Sequence, residues 1–175
     1  ILAAQYAREH KIPYLGLCLG MQIATIEFAR NVLKLADAHS AEFNPSTPHP
    51  VIARLNERRQ GTKMGGTSGE ARTLSLLVGS NAARLYGPFG ANDRHRHRYE
   101  FNKDYRPRFA QAGFVISGTS PDGALVEIIE LPDHPYFMAS QFHPEFRSKP
   151  HQPHPLFKGF IAAAHAHIHH KPAKS

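Results

Sequence analysis

Ile12-Pro13-Tyr14-Leu15-Gly16-Leu17-Cys18-Leu19-Gly20-Met21-Gln22 is an apolar run that stops at a glycine-flanked cysteine and then changes period. The run 12–17 follows a charged segment and suits a buried parallel strand. From residue 19 to 35 the spacing becomes helical, with Met21, Ala24, Phe28, Val32 and Leu35 on one face. Residues 1–10, ILAAQYAREH, read as an amphipathic helix. The first third is therefore helix, strand, sharp turn, helix, which is the pattern of an α/β fold.

Outward from this unit, prolines at 45, 48 and 50 place residues 36–50 in a loop. Residues 56–71 read as loop or edge hairpin, 72–78 as a strand, 80–86 as a short helix, and 87–98 as a Gly- and Arg-rich loop. Residues 104–112 are helical or irregular. Three extended runs follow at 114–118, 124–131 and 136–142, separated by Pro121-Asp122-Gly123 and Pro132-Asp133-His134-Pro135. A last helix is expected over 154–169. No repeat or long linker divides the chain.

With 175 residues, 41% of them apolar, the chain can build one domain with a core. No apolar run approaches the ~20 residues of a membrane span, and residues 1–10 are not a secretory signal. A single cysteine excludes an internal disulfide framework and fits a reduced, cytoplasmic setting. The net charge of +7 is scattered, apart from Arg94-His95-Arg96-His97-Arg98. No zinc-finger spacing or aromatic RNA-binding signature accompanies it, so a basic surface, or a site for an anionic ligand, is favoured over nucleic acid.

The chemistry centres on Gly16-Leu17-Cys18-Leu19-Gly20. A nucleophile between two glycines at a strand-to-helix turn is a nucleophile elbow. The turn strains its central residue and points the side chain out at the carboxyl end of the strand, where α/β sheets place ligands. The N–H groups and positive end of the following helix are expected to lower the thiol pKa. The Leu19 N–H is positioned to hold an oxyanion, a contact worth ~3 kcal/mol of barrier. The plain alternative is a buried structural cysteine. A nucleophile also needs a base with an orienting group. Gln141-Phe142-His143-Pro144-Glu145 supplies both: His143 ends a predicted strand and Glu145 is two residues on. Alone, His-Pro-Glu reads equally as a turn.

The elbow through Gln22, followed far downstream by Gln141-Phe142-His143-Pro144-Glu145-Phe146, resembles the class I glutamine amidotransferases. Ile12–Gly16, Met64-Gly65-Gly66-Thr67, Arg94–Glu100 and Val126-Glu127-Ile128-Ile129-Glu130 narrow the resemblance to the carboxy-terminal domain of the CTP synthase family. The resemblance covers nearly the whole chain. It implies a flavodoxin-like, three-layer domain, with a mostly parallel central sheet between helices and its first strand missing. It also implies a reaction. Cys18 forms a glutamyl thioester from glutamine, His143 protonates the leaving ammonia and then activates water, and Glu145 supports His143. Ammonia would pass to a synthetase domain that aminates UTP to CTP with ATP and Mg²⁺, in pyrimidine nucleotide biosynthesis.

The same resemblance implies that Leu19, Gly20, Met21 and Gln22 line the glutamine site. Glu42 would meet the α-amino group, Arg98 the α-carboxylate, and Tyr99 the pocket wall. This chain would itself hold no cofactor or metal, and GTP would activate the full, homotetrameric enzyme. The sequence departs from the family in three ways. It starts after the strand and Gly-rich loop that give the second oxyanion donor. It has Ser68-Gly69-Glu70-Ala71 where the family has Met-Arg-Leu-Gly. It lacks the synthetase domain. Weak or no glutaminase activity is therefore expected of residues 1–175 alone. Two alternatives are another class I amidotransferase or a γ-glutamyl hydrolase, neither of which shares the Arg94–Arg98 run. A third is a metal- or nucleic-acid-binding module, invited by thirteen histidines. Of these, His165 and His169 lie one helical turn apart, with His167 and His170 nearby.

Overall fold

A computed structural model describes residues 1–54, 71–87, 91–94 and 97–169. Helix α1 (Leu2–Glu9) leads into strand β1 (Tyr14–Leu17) and helix α2 (Leu19–Asn31). The chain continues through β2 (Ala38–Ser40), β3 (His49–Arg54), β4 (Ala71–Leu76), α3 (Asn81–Tyr86), β5 (Ala91–Arg94) and β6 (Tyr99–Phe101). It ends with α4 (Arg106–Gln111), β7 (Val115–Thr119), β8 (Val126–Glu130), β9 (Phe137–Ser140) and α5 (Pro155–His169).

The larger sheet has the order β1-β9-β8-β7-β4-β5, and the smaller β2-β3-β6. The α/β class holds, but the expectation of a mostly parallel sheet is corrected: the six-stranded sheet is mixed. Among the described residues only β1–β9 runs parallel within it; the pairs β9–β8, β8–β7, β7–β4 and β4–β5 are antiparallel. The cause lies in the connections. Tight turns at 120–123 and 131–136 can join only antiparallel neighbours, whereas β1 reaches β9 through a long excursion of the chain.

Helices cover both faces. Ala7 of α1, Met21 and Phe28 of α2 and Phe109 of α4 form one core with Val126, Ile129, Phe137 and Ala139 of the sheet. Ala82 and Tyr86 of α3 and Leu156 of α5 form the other with Ile128 and Met138. Successive residues Ile128 and Ile129 thus point to opposite cores, and all of β8 is buried, Glu127 and Glu130 included. Phe28, Phe101, Phe109 and Phe114 stack edge and face, with centroids 4.9–6.2 Å apart.

Helix α2 is buried nearly all round because it packs against β1 and β9 of one sheet and β2, β3 and β6 of the other. Its buried Glu27 therefore needs partners: Arg8 of α1 at 2.7 Å and Asn31 at 3.0 Å supply them and dock α1 onto α2. Buried Glu130, at the end of β8, accepts the first N–H groups of α3 from Asn81 and Ala82, at 2.8 and 3.0 Å.

Three strands, β2, β5 and β6, fall where loops or no element were expected, and β3 begins inside the proline-rich segment 36–50. Pro50 is tolerated in β3 because its carbonyl still accepts, here from Asn102 Nδ2 at 3.0 Å. The segment 56–70, including Met64–Thr67 and Ser68–Glu70, lies outside the described residues, as do His95 and Arg96.

Candidate active site

Strand β1 ends against β9 with Leu17 opposite Ser140, and the Cys18 N–H donates to the Ser140 carbonyl at 2.7 Å. Cys18 then turns to φ 51°, ψ −102°, and α2 starts at the next residue. A positive φ at a non-glycine residue is a strained conformation that the surroundings must impose. Gly16 shows how. A Cβ there would lie 2.8 Å from the Gly20 carbonyl carbon and oxygen, so only glycine lets the strand approach the helix start this closely. Gly20 differs: a Cβ on it would meet nothing nearer than the Tyr14 hydroxyl at 3.8 Å. Its carbonyl accepts from that hydroxyl at 2.9 Å, which pins the elbow from below.

The Cys18 thiol is half-buried and receives a backbone N–H from Leu19 and the Gln141 side-chain Nε2 at 3.7 Å. These donors favour thiolate, but burial dominates and pushes the thiol above its ordinary value, helped by the carboxylates of Glu145 and Glu42. The expected net lowering by the helix start is thus corrected. The donors are present, and desolvation outweighs them.

Parallel pairing carries β1 and β9 to the same rim, so His143, just past β9, emerges where Cys18 does. A short 3-10 turn over Pro144–Phe146 folds the chain back, and His143 Nδ1 lies 2.7 Å from Glu145 Oε1. The Nδ1–H donates to the carboxylate, which leaves Nε2 as the basic nitrogen of the neutral ring. The His143 side chain is 24% exposed, and fully buried Phe142 anchors it from behind.

The other sequence-predicted residues separate. Gln22 is buried, with Nε2 donating to the Tyr99 carbonyl at 2.9 Å and to Gln141 Oε1 at 3.3 Å. That ties α2, the start of β6 and the end of β9 together. Glu42 is exposed, near enough for its charge to act on the thiol. Arg98 is exposed immediately before Tyr99. Leu19 is exposed beside Cys18, whereas the Met21 side chain is wholly buried in the core. The Met21 side chain thus packs in the core, so any part of it at a glutamine pocket would be its backbone.

Gln141, fully buried between Gln22 and the thiol, has no role in the sequence reading. The available signal was an amide at the end of an otherwise apolar run, beside a histidine. On α5, the His165 and His169 rings stand 4.2 Å apart, and no group of three or more metal-ligating side chains occurs among the described residues. Nor is any described helix long and apolar enough to cross a membrane.

A cleft between α3, α5 and β9, lined by Arg84, Leu85, Pro135, Tyr136 and Ala163, lies toward the amino end of β9, away from Cys18.

The chain is 58% identical to a CTP synthase from Cyanothece sp. over 168 residues, 95% of this chain and 31% of the relative. It is 56% identical to a CTP synthase from Bacillus subtilis over 94% of its own length and 31% of that protein. It thus spans about a third of the curated relatives it matches. Among solved structures it superposes on the glutaminase domain of a Trypanosoma brucei CTP synthase with bound acivicin. That match has a TM-score of 0.85 and 40% identity, and covers 94% of this chain and 64% of the other. The family model for glutamine amidotransferase class-I matches residues 1–163, and the chain belongs to that family.

Proposed function

We propose that this chain is the glutaminase unit of a CTP synthase: it hydrolyses glutamine with Cys18, His143 and Glu145 and supplies the ammonia for amination of UTP. The observation that carries the reading is the strained elbow at Cys18, set beside β9 so that the His143–Glu145 pair leaves the sheet at the same rim.

The thiol proton passes to His143 Nε2 as Sγ attacks the carboxamide carbon of glutamine. The oxyanion that develops meets the Leu19 N–H. Collapse of the tetrahedral intermediate breaks the C–N bond, and the imidazolium returns its proton to the departing ammonia. His143 then takes a proton from water, hydroxide equivalent attacks the thioester, and glutamate leaves as Sγ regains the proton. Glu145 holds the imidazole tautomer and stabilises the imidazolium between these steps.

Glu42 and Arg98 have the charges to meet the α-amino and α-carboxylate groups of an amino-acid substrate, with Tyr99 beside them. Gln22 has its Nε2 engaged by two acceptors, so it offers Oε1, an acceptor matched to a carboxamide N–H. A glutamate carboxylate cannot satisfy it. ATP, Mg²⁺ and the UTP site belong to a synthetase domain beyond this chain, and GTP activation, a homotetramer and a cytoplasmic setting belong to the whole enzyme.

Hydroxylamine tests the covalent step: it converts a glutamyl thioester to γ-glutamyl hydroxamate and restores the thiol. Wild-type chain with glutamine and hydroxylamine is expected to accumulate hydroxamate, slowly for this chain alone, and Cys18→Ala none. Equal yields from both would remove Cys18 from the reaction.

A further inference from the structure

We propose that Gln141 is a catalytic residue for the same reaction: its Nε2–H donates to Cys18 Sγ and stabilises the thiolate, in a direction fixed by Gln22 and the Tyr99 carbonyl. The inference rests on the reading of Cys18 as nucleophile.

The two ends of a glutamine side chain have nearly the same shape, so their assignment follows from partners. Here the partners leave one choice. The Tyr99 carbonyl can only accept, and the Gln22 amide end 2.9 Å from it must be Nε2. That NH₂ group is also 3.3 Å from Gln141, which must therefore present Oε1 to it. The remaining end of Gln141, 3.7 Å from Cys18 Sγ, is Nε2, a donor. Reversing Gln141 would set nitrogen against nitrogen and a carbonyl oxygen against the sulfur. A backbone carbonyl on β6 thus fixes the polarity of a relay that ends at the nucleophile.

The relay is also rigid and dry. Gln141 is 0% exposed and Gln22 4%, and the Gln141 backbone N–H is tied to Glu127 O at 2.9 Å. A donor held without competing water interacts more strongly with an anion than a solvated one. The thiol needs this help, because burial and the carboxylates of Glu145 and Glu42 all oppose its ionisation, while the Leu19 N–H favours it alongside Gln141. Gln141 would act twice: at attack, when thiolate forms, and at thioester hydrolysis, when the sulfur leaves as thiolate. In the thioester between these steps the sulfur carries no charge and the contact weakens, so the stabilisation is differential.

The test is the pH profile of Cys18 alkylation by iodoacetamide, followed by intact mass, in the wild-type chain, Gln141→Met and Gln141→Glu. Methionine keeps the volume and removes the donor. Its midpoint should rise by about one pH unit, which is about tenfold slower alkylation below the midpoint. Glutamate at the same place should raise it further. An unchanged midpoint in Gln141→Met of native thermal stability would overturn the proposal.

If neither variant folds, the wild-type chain still decides. The Gln141 side-chain ¹⁵N–¹H signals should titrate with the Cys18 midpoint and lose that titration in Cys18→Ala; signals indifferent to the thiol would overturn the proposal. Hydroxamate trapping by the wild-type chain, with no midpoint shift in Gln141→Met, would defeat this inference alone. A midpoint shift without hydroxamate would support the sulfur contact and defeat the glutaminase reading.

Discussion

Strand β9 carries a histidine beyond each end, and the two are built for opposite purposes. At the amino end, His134 is 5% exposed. Its Nε2–H donates to Ala7 O at 3.0 Å and its Nδ1 accepts from the Tyr136 N–H at 3.1 Å. Both nitrogens are spent on backbone, the neutral tautomer is fixed, and burial holds the pKa below its ordinary value. Beside it, Lys11 Nζ donates to Asp133 O at 2.9 Å, so this end of the strand clamps α1 to the sheet. At the carboxyl end, His143 gives only Nδ1 to a carboxylate and remains partly exposed. One ring is a fixed strut; the other, in the proposed reaction, keeps a nitrogen for moving protons. Partner chemistry, rather than residue type, separates the structural ring from the one proposed as catalytic.

Exchanging losses between the two histidines tests that contrast most severely. His143→Ala should lower kcat for glutamine hydrolysis by about 10²–10⁴-fold with an unchanged melting temperature. His134→Leu should do the reverse, leaving folded protein active while lowering stability by about 1–3 kcal/mol, measured by urea unfolding. If His134→Leu abolished catalysis in folded protein, or if His143→Ala unfolded it, the division would be wrong.

The two elbow glycines give a second contrast. Gly16→Ala forces its Cβ to within 2.8 Å of the Gly20 backbone and should cost about 3 kcal/mol, with activity lost as the elbow shifts. Gly20→Ala has room and sits in the first turn of α2, so its stability should change by less than about 1 kcal/mol. Equal effects would mean that close approach is not what selects glycine at 16.

The smallest effects are in pH. His134 has a lowered folded pKa, so its stabilisation is present above the ordinary value of 6.5 and is lost as pH falls through the folded value. Wild-type stability should therefore drop on acidification more steeply than that of His134→Leu. Cys18 has a raised pKa, so its contribution is present below the ordinary value of 9.0 and is lost as pH rises through the folded value. Cys18→Ala should flatten the alkaline limb of the stability profile.

The sequence makes the elbow legible because two signals coincide there: the apolar run through Leu17 stops at a glycine pair, and helical spacing begins at once. The proposed base is marked in the sequence because His143 follows an extended run. Strands β2, β5 and β6 are not, since Ala38-His39-Ser40, Ala91–Arg94 and Tyr99-Glu100-Phe101 are short and carry polar residues that alternate too few times to show a period. The turns between β7, β8 and β9 are visible as proline–aspartate clusters, and their shortness already requires antiparallel neighbours. The expectation of a mostly parallel sheet rests on the family resemblance; the parallel strand read from the first helix–strand–helix unit does pair in parallel. The sign of the Cys18 shift is not legible, because a sequence reveals the helix start beside the thiol but not how deeply the thiol is buried.

Covalent labelling by acivicin tests the central claim most directly. The account predicts one adduct per chain, located on Cys18 by peptide mass, formed faster as pH rises, and slowed by excess glutamine. A folded chain that takes no label, is labelled elsewhere, or is indifferent to glutamine would contradict it.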